Sequence, residues 1–152
     1  MSESRLQSME RKAAEYGPIR MSELELMCRS SRADDRLFAL VLMRRDCDAG
    51  NLDPEFLRLA TDLLPEQDND VRWQAAIVIG EFIDTAPDRV WDVIVKFGDS
   101  ADPDMRTAIG TVLLEHLLQR HGPRFRPLVE QLAHRSPRFA EMCRVRSDFS
   151  DE

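Results

Sequence analysis

What this chain lacks narrows its function before any motif is read. No apolar run in the 152 residues reaches the ~18 residues a membrane-crossing helix needs. The start, Met1-Ser2-Glu3-Ser4-Arg5, has no apolar core of the kind that directs export, so a cytoplasmic setting is expected. Glycine is scarce, six in all and each alone, which removes the glycine-rich loops that cradle phosphates. The three cysteines, Cys28, Cys47 and Cys143, are odd in number, far apart and free of any Cys-x-x-Cys. That usage fits a reducing compartment and small buried side chains better than a disulfide framework or a zinc ribbon.

Chemistry-bearing residues are equally sparse. The histidines are His116, His121 and His134, and the first two stand five apart, whereas zinc pairs on one helix stand ~3 or ~4 apart. His116 occupies an otherwise apolar helical face, the position of a core or interface histidine, and His121 falls at a helix C-terminus, where positive charge is favoured. No Gly-x-Ser-x-Gly occurs and no cysteine has a suggestive histidine. Carboxylates crowd residues 61–104 at a density that reads as a solvated acidic face rather than an acid–base pair. We therefore expect no enzyme, no cofactor and no metal.

What is present is a repeat. Asp70-Val71-Arg72 opens a helix with Asp70 as its cap, and Val71, Ala75, Ile79 and Phe82 line one face at spacings of four, four and three. Proline at Pro87 ends that helix and starts the next, which buries Val90, Val93, Ile94 and Phe97 and stops at Gly98. The unit recurs on both sides. Asp34-Asp35-Arg36, Asp70-Val71-Arg72 and Asp104-Met105-Arg106 place arginines 36 and then 34 residues apart. The second helices align as Phe56/Leu59/Leu63, Val90/Val93/Phe97 and Phe125/Leu128/Leu132. Around these lie a polar first hairpin, its second helix opened by a Ser22–Glu25 capping box, and a shortened last unit opening at Ser136-Pro137.

Two helices per period in the mid-thirties, with no strand signal, describe a solenoid. Asp70-Val71-Arg72-Trp73-Gln74-Ala75-Ala76 resembles the start of a HEAT-like repeat, whose first helix begins Asp-x-Val-Arg-x-x-Ala. Asp35 and Met105 depart from the valine of that pattern. The resemblance implies an all-α, α-α superhelix of about four helical hairpins, near 3–31, 34–64, 70–98 and 103–134, with a cap over 136–147 in a single domain of residues 1–152. It also implies that the Asp and Arg of each repeat pair with one another or with neighbouring repeats, which gives these residues a structural role.

In such stacks the second helices line the concave side, and their outward positions are Glu55, Arg58, Asp62, Asp88, Asp92, Lys96, Arg124, Gln131 and His134. Trp91 stands on the flank of its helix, where a large aromatic either packs between helices or, partly exposed, serves as an interface anchor, while Trp73 aligns with core Leu37. The expected function is a non-catalytic protein-interaction module or scaffold, monomeric or a weak homodimer, contacting a protein partner through Trp91, Arg58, Asp92, Lys96, Arg124, Gln131 and His134. The alternative is nucleic acid. A glycosylase family acting on alkylated DNA is also built of HEAT-like repeats and lines a basic concave surface with tryptophans and an aspartate, which Trp73, Trp91 and Asp92 resemble. Against it, residues 61–104, which hold both tryptophans, carry eleven acids against three bases, and phosphate is repelled there. Only residues 119–146 are basic, with seven arginines against Glu130 and Glu141.

Overall fold

The structure, a computed structural model, describes residues 3–144. The tail Ser147–Glu152, Arg146 and the last residues of the expected cap lie outside the described residues. Among those described, the chain is helical throughout with no strand, as the all-α reading requires. In chain order the elements are α1 (Arg5–Glu15), α2 (Met21–Cys28), α3 (Ala33–Asp48), α4 (Pro54–Leu63), α5 (Asn69–Gly80), α6 (Pro87–Phe97) and α7 (Pro103–Ala108). A π-helical turn over Ile109–Leu114 then leads without a gap into α8 (Glu115–Arg135), and α9 (Pro137–Arg144) comes last. No described helix is long and apolar enough to cross a membrane. By packing, the chain divides into two compact units, Met1–Val78 and Ile79–Glu152, with the boundary inside α5.

The first unit is built on α3. Leu37, Ala39, Leu40, Leu42 and Met43 are fully buried in it, since α1, α2 and α4 all pack against this helix. Helix α4 turns Phe56, Leu57, Leu59, Ala60 and Leu63 inward. Local chemistry sets the helix starts. Ser4 and Gln7 close a capping box on α1, and Asp53 accepts the Glu55 amide ahead of Pro54 in α4. Two expected caps are corrected. Helix α2 begins at Met21 after Arg20, with no side-chain cap, so Ser22 and Glu25 lie inside it and form no capping box. Helix α5 begins one residue before Asp70, and Asp68 accepts the Val71 amide at 3.2 Å instead. In the run Gln67-Asp68-Asn69-Asp70 several residues can cap, and the first one reached by the helical path does so.

The second unit buries Phe82, Val90, Ile94, Ile109, Leu113, Phe125 and Phe139. Its α8 is interrupted by a single non-helical residue, His121 (φ −136°, ψ 34°), ahead of the expected Gly122-Pro123 turn. Two face assignments change here. The π turn adds backbone per turn and rotates the residues beyond it, so Leu117 and Leu118 take the buried side and His116 is exposed, its Nδ1 2.8 Å from the Val112 carbonyl. Beyond His121 the buried stripe is Phe125 and Val129 with half-buried Leu132, and Leu128 is left 38% exposed.

Candidate functional site

The arginines of the repeated Asp-x-Arg are interior struts. Arg72 and Arg106 are only 5% and 8% exposed. Arg36 donates through Nη1 to the Ser30 carbonyl at 2.7 Å and reaches Glu66 at 2.6 Å. Arg106 does the same to the Ser100 carbonyl at 2.7 Å and to Glu141 at 3.1 Å. In both places the serine hydroxyl also accepts the amide two residues on, of Arg32 and of Asp102. Arg36 and Arg106 therefore tie to a preceding carbonyl and a later glutamate rather than to the aspartate of their own motif.

Two of those aspartates belong to a different cluster. Arg5, the first residue of α1, holds Asp34 at 2.7 Å and both Asp68 and Asp70 at 3.1 Å. One guanidinium thus gathers carboxylates from the starts of α3 and α5. Burial alone would raise the Asp68 carboxyl, but the Val71 amide and Arg5 outweigh it and hold it below its ordinary range.

The expected binding residues fall in two places. Arg58, exposed on α4, is engaged by Glu55 at 2.7 Å and Glu25 at 3.3 Å, with Asp62 at 3.7 Å. It lines a cavity of about 440 Å³ with Arg29, Arg36, Glu25, Asp62, Glu66 and Cys28. Three arginines balance three carboxylates there, so the cavity has no net charge with which to select an ion. Burial first, then the Asp62 and Glu25 carboxylates, push the Cys28 thiol up to about 11, which makes it a poor nucleophile.

The others lie on α6 and α8 in the second unit. Asp88, Asp92, Lys96, Arg124, Gln131 and His134 are positioned there, all of them exposed. Asp88 pairs with Arg124, Asp84 pairs with Arg120, and the half-buried Trp91 ring stands 5.5 Å from Phe125 and 6.5 Å from Phe139. These contacts advance together along both segments, so α6 and the part of α8 beyond His121 run in the same direction. The Arg124 guanidinium also lies over the Phe125 ring, and Lys96 over Phe97. Trp91 is thus seated by one edge between aromatic neighbours with part of its surface open to solvent.

Two residues on this face escape the sequence reading. Val95 and Leu128 are 39% and 38% exposed. Arg124, Leu128, Gln131 and Arg135 succeed one another at spacings of four, three and four, one stripe of α8. Val95 lies one turn beyond Trp91 on the flank of α6 turned toward it. The signal for Val95 is an apolar residue off the Val90/Val93/Ile94/Phe97 face; Leu128 gives none, because it aligns with core positions of the other second helices. Among the described residues no group of three His, Cys, Asp or Glu side chains is arranged to hold a metal.

Comparison with protein-family models, with curated proteins and with solved structures returns no match for this chain.

Proposed function

We propose that the chain is a run of HEAT-like helical hairpins that binds a protein partner, without catalysis, on the surface between α6 and α8. The observation that carries the reading is that Val95 on α6 and Leu128 on α8 are exposed apolar side chains and Trp91 is only half-buried, with Asp92, Lys96 and Gln131 exposed on the same two helices. Apolar side chains left in water beside a seated tryptophan are what an interface uses as anchors. The hairpin architecture is supported by recurrence: the Ser30–Arg36 and Ser100–Arg106 arrangements are the same contact set 70 residues apart, two periods of the repeat. A cytoplasmic monomer or weak homodimer belongs to the same reading, to which three free thiols are suited.

A photocrosslinking residue placed at Val95 tests this in the native host. It should trap one discrete protein, and Trp91→Ala should abolish the adduct, while the same residue at Glu15 on α1 should trap nothing. Equal trapping at both positions, or none at either, would overturn the reading. A second reading, nucleic-acid binding, rests on three exposed guanidiniums, Arg135, Arg138 and Arg144, that meet no carboxylate among the described residues. A shift of duplex DNA at ~50 mM salt that fades as salt rises would support it, because phosphate binding releases counterions.

A further inference from the structure

We infer that the α6/α8 face takes an acidic amphipathic helix of the partner, laid along α8 with its apolar residues on Val95 and Leu128 and its carboxylates toward α9. The inference rests on the protein-binding reading above and specifies the chemistry of the bound segment.

Charge carries the argument. Arg124 is matched by Asp88 and Arg120 by Asp84. Past them the exposed guanidiniums of Arg135 and Arg138 face water with no carboxylate partner among the described residues, exposed His134 stands beside Arg135, and Arg126 has Glu130 one turn on. On α8 beyond Glu115 the one acid is Glu130, and on α9 the one acid, Glu141, is already engaged by Arg106. The α6 side differs, because Asp92 and Lys96 stand one turn apart and offset each other. A ligand whose charge is concentrated on one flank therefore gains on the α8–α9 side and meets no net attraction on the other.

Geometry fixes the shape. From Arg124 to Arg135 the stripe runs eleven residue steps, ~16 Å at the helical rise, room for about three turns of a partner helix. An amphipathic partner helix lays residues spaced ~3 or ~4 apart along such a stripe. Bare polyphosphate would use the arginines and leave Val95 and Leu128 in water, so a polypeptide is favoured over nucleic acid.

The test is selection from a displayed library of random helical 18-residue peptides against the full chain at ~50 mM salt. The enriched peptides should carry net negative charge with apolar residues at helical spacing. Arg135→Glu with Arg138→Glu should weaken them by roughly tenfold, and Asp92→Lys should tighten them. Leu128→Glu should abolish binding, with each variant's helical circular dichroism and melting checked against the parent. Basic or uncharged peptides that still need Leu128 would overturn this inference while leaving the binding face intact. Peptides indifferent to Leu128→Glu would remove the face itself, and with it the protein-binding reading. No enrichment, with duplex DNA bound instead, would overturn the inference in favour of nucleic acid.

Discussion

Gly98 ends α6 at φ −68°, a conformation open to any residue, so left-handed backbone is not the reason for glycine there. Space is. A Cβ at this position would stand 2.5 Å from the Ile94 carbonyl oxygen, 2.9 Å from the Met142 methyl and 3.0 Å from the Phe139 ring. The glycine lets α9 close over the end of α6, and Phe139 in turn supports Trp91. Gly98→Ala is expected to cost about 1–3 kcal/mol by overpacking, read as a lower urea midpoint at unchanged slope; an unaltered midpoint would show that the contact is slack. Cys28 makes a second residue-scale case. With the thiol near 11 rather than its ordinary 9.0, its thiolate fraction at pH 8 is roughly a hundredfold below that of a free cysteine. In a Cys47→Ala, Cys143→Ala background, alkylation by iodoacetamide should be slow at pH 8 and rise steeply toward pH 11. Labelling as fast as free cysteine would mean the side chain is open to water.

Helix α1 is held differently from the helices around it. Ala13 is its one buried residue. Leu6 and Met9 are half-buried, and the other ties are polar: Arg5 to three carboxylates, Glu10 to Arg44 at 3.6 Å, and the Arg45 guanidinium to the Ala13 and Tyr16 carbonyls at 2.8 and 2.7 Å. Part-exposed ion pairs contribute ~0.2–1 kcal/mol each and are screened by salt. Amide exchange over Arg5–Glu15 should therefore accelerate by roughly tenfold between low salt and ~1 M NaCl while α3 stays protected, and Arg5→Ala should reproduce the effect at low salt. Exchange in α1 that ignores both would show that its packing suffices. Acid should act in the same direction. The Asp68 carboxyl is lowered in the fold, so its contribution is present above the ordinary 3.8 and is lost as pH falls through the folded value. The Arg5 cluster also marks where sequence reading stops. Starts made by adjacent residues, Asp53-Pro54 and Asp102-Pro103, are legible because cap and proline act within one turn. The partners of Asp34 and Asp70 lie 29 and 65 residues away on Arg5, and no local pattern encodes them. Leu128 is misread for a related reason: beyond Phe125 the helix turns Val129 inward rather than Leu128, and which of two adjacent apolar residues is covered depends on packing partners distant in sequence.

At the scale of the molecule, the boundary between the two compact units falls within one unbroken helix. Val78 closes the first and Ile79 opens the second, both inside α5. Parting the units at that point means breaking helical hydrogen bonds, so α5 should make them unfold together. Each unit carries one tryptophan, Trp73 in the first and Trp91 in the second. Trp91→Phe and Trp73→Phe therefore give two proteins whose fluorescence reports one unit apiece. Their urea transitions should coincide with each other and with the loss of helical circular dichroism. Val78→Pro, which removes a backbone donor and crowds the preceding turn at a cost of about 3 kcal/mol or more, should split them into two midpoints. Separate midpoints in the parent would show that the units are independent and that α5 does not couple them. Coincidence persisting in Val78→Pro would move the coupling from the helix to contacts elsewhere. In either of those cases the repeat would lose its simplest physical rationale, that each pair of helices is stable only through the pairs adjoining it.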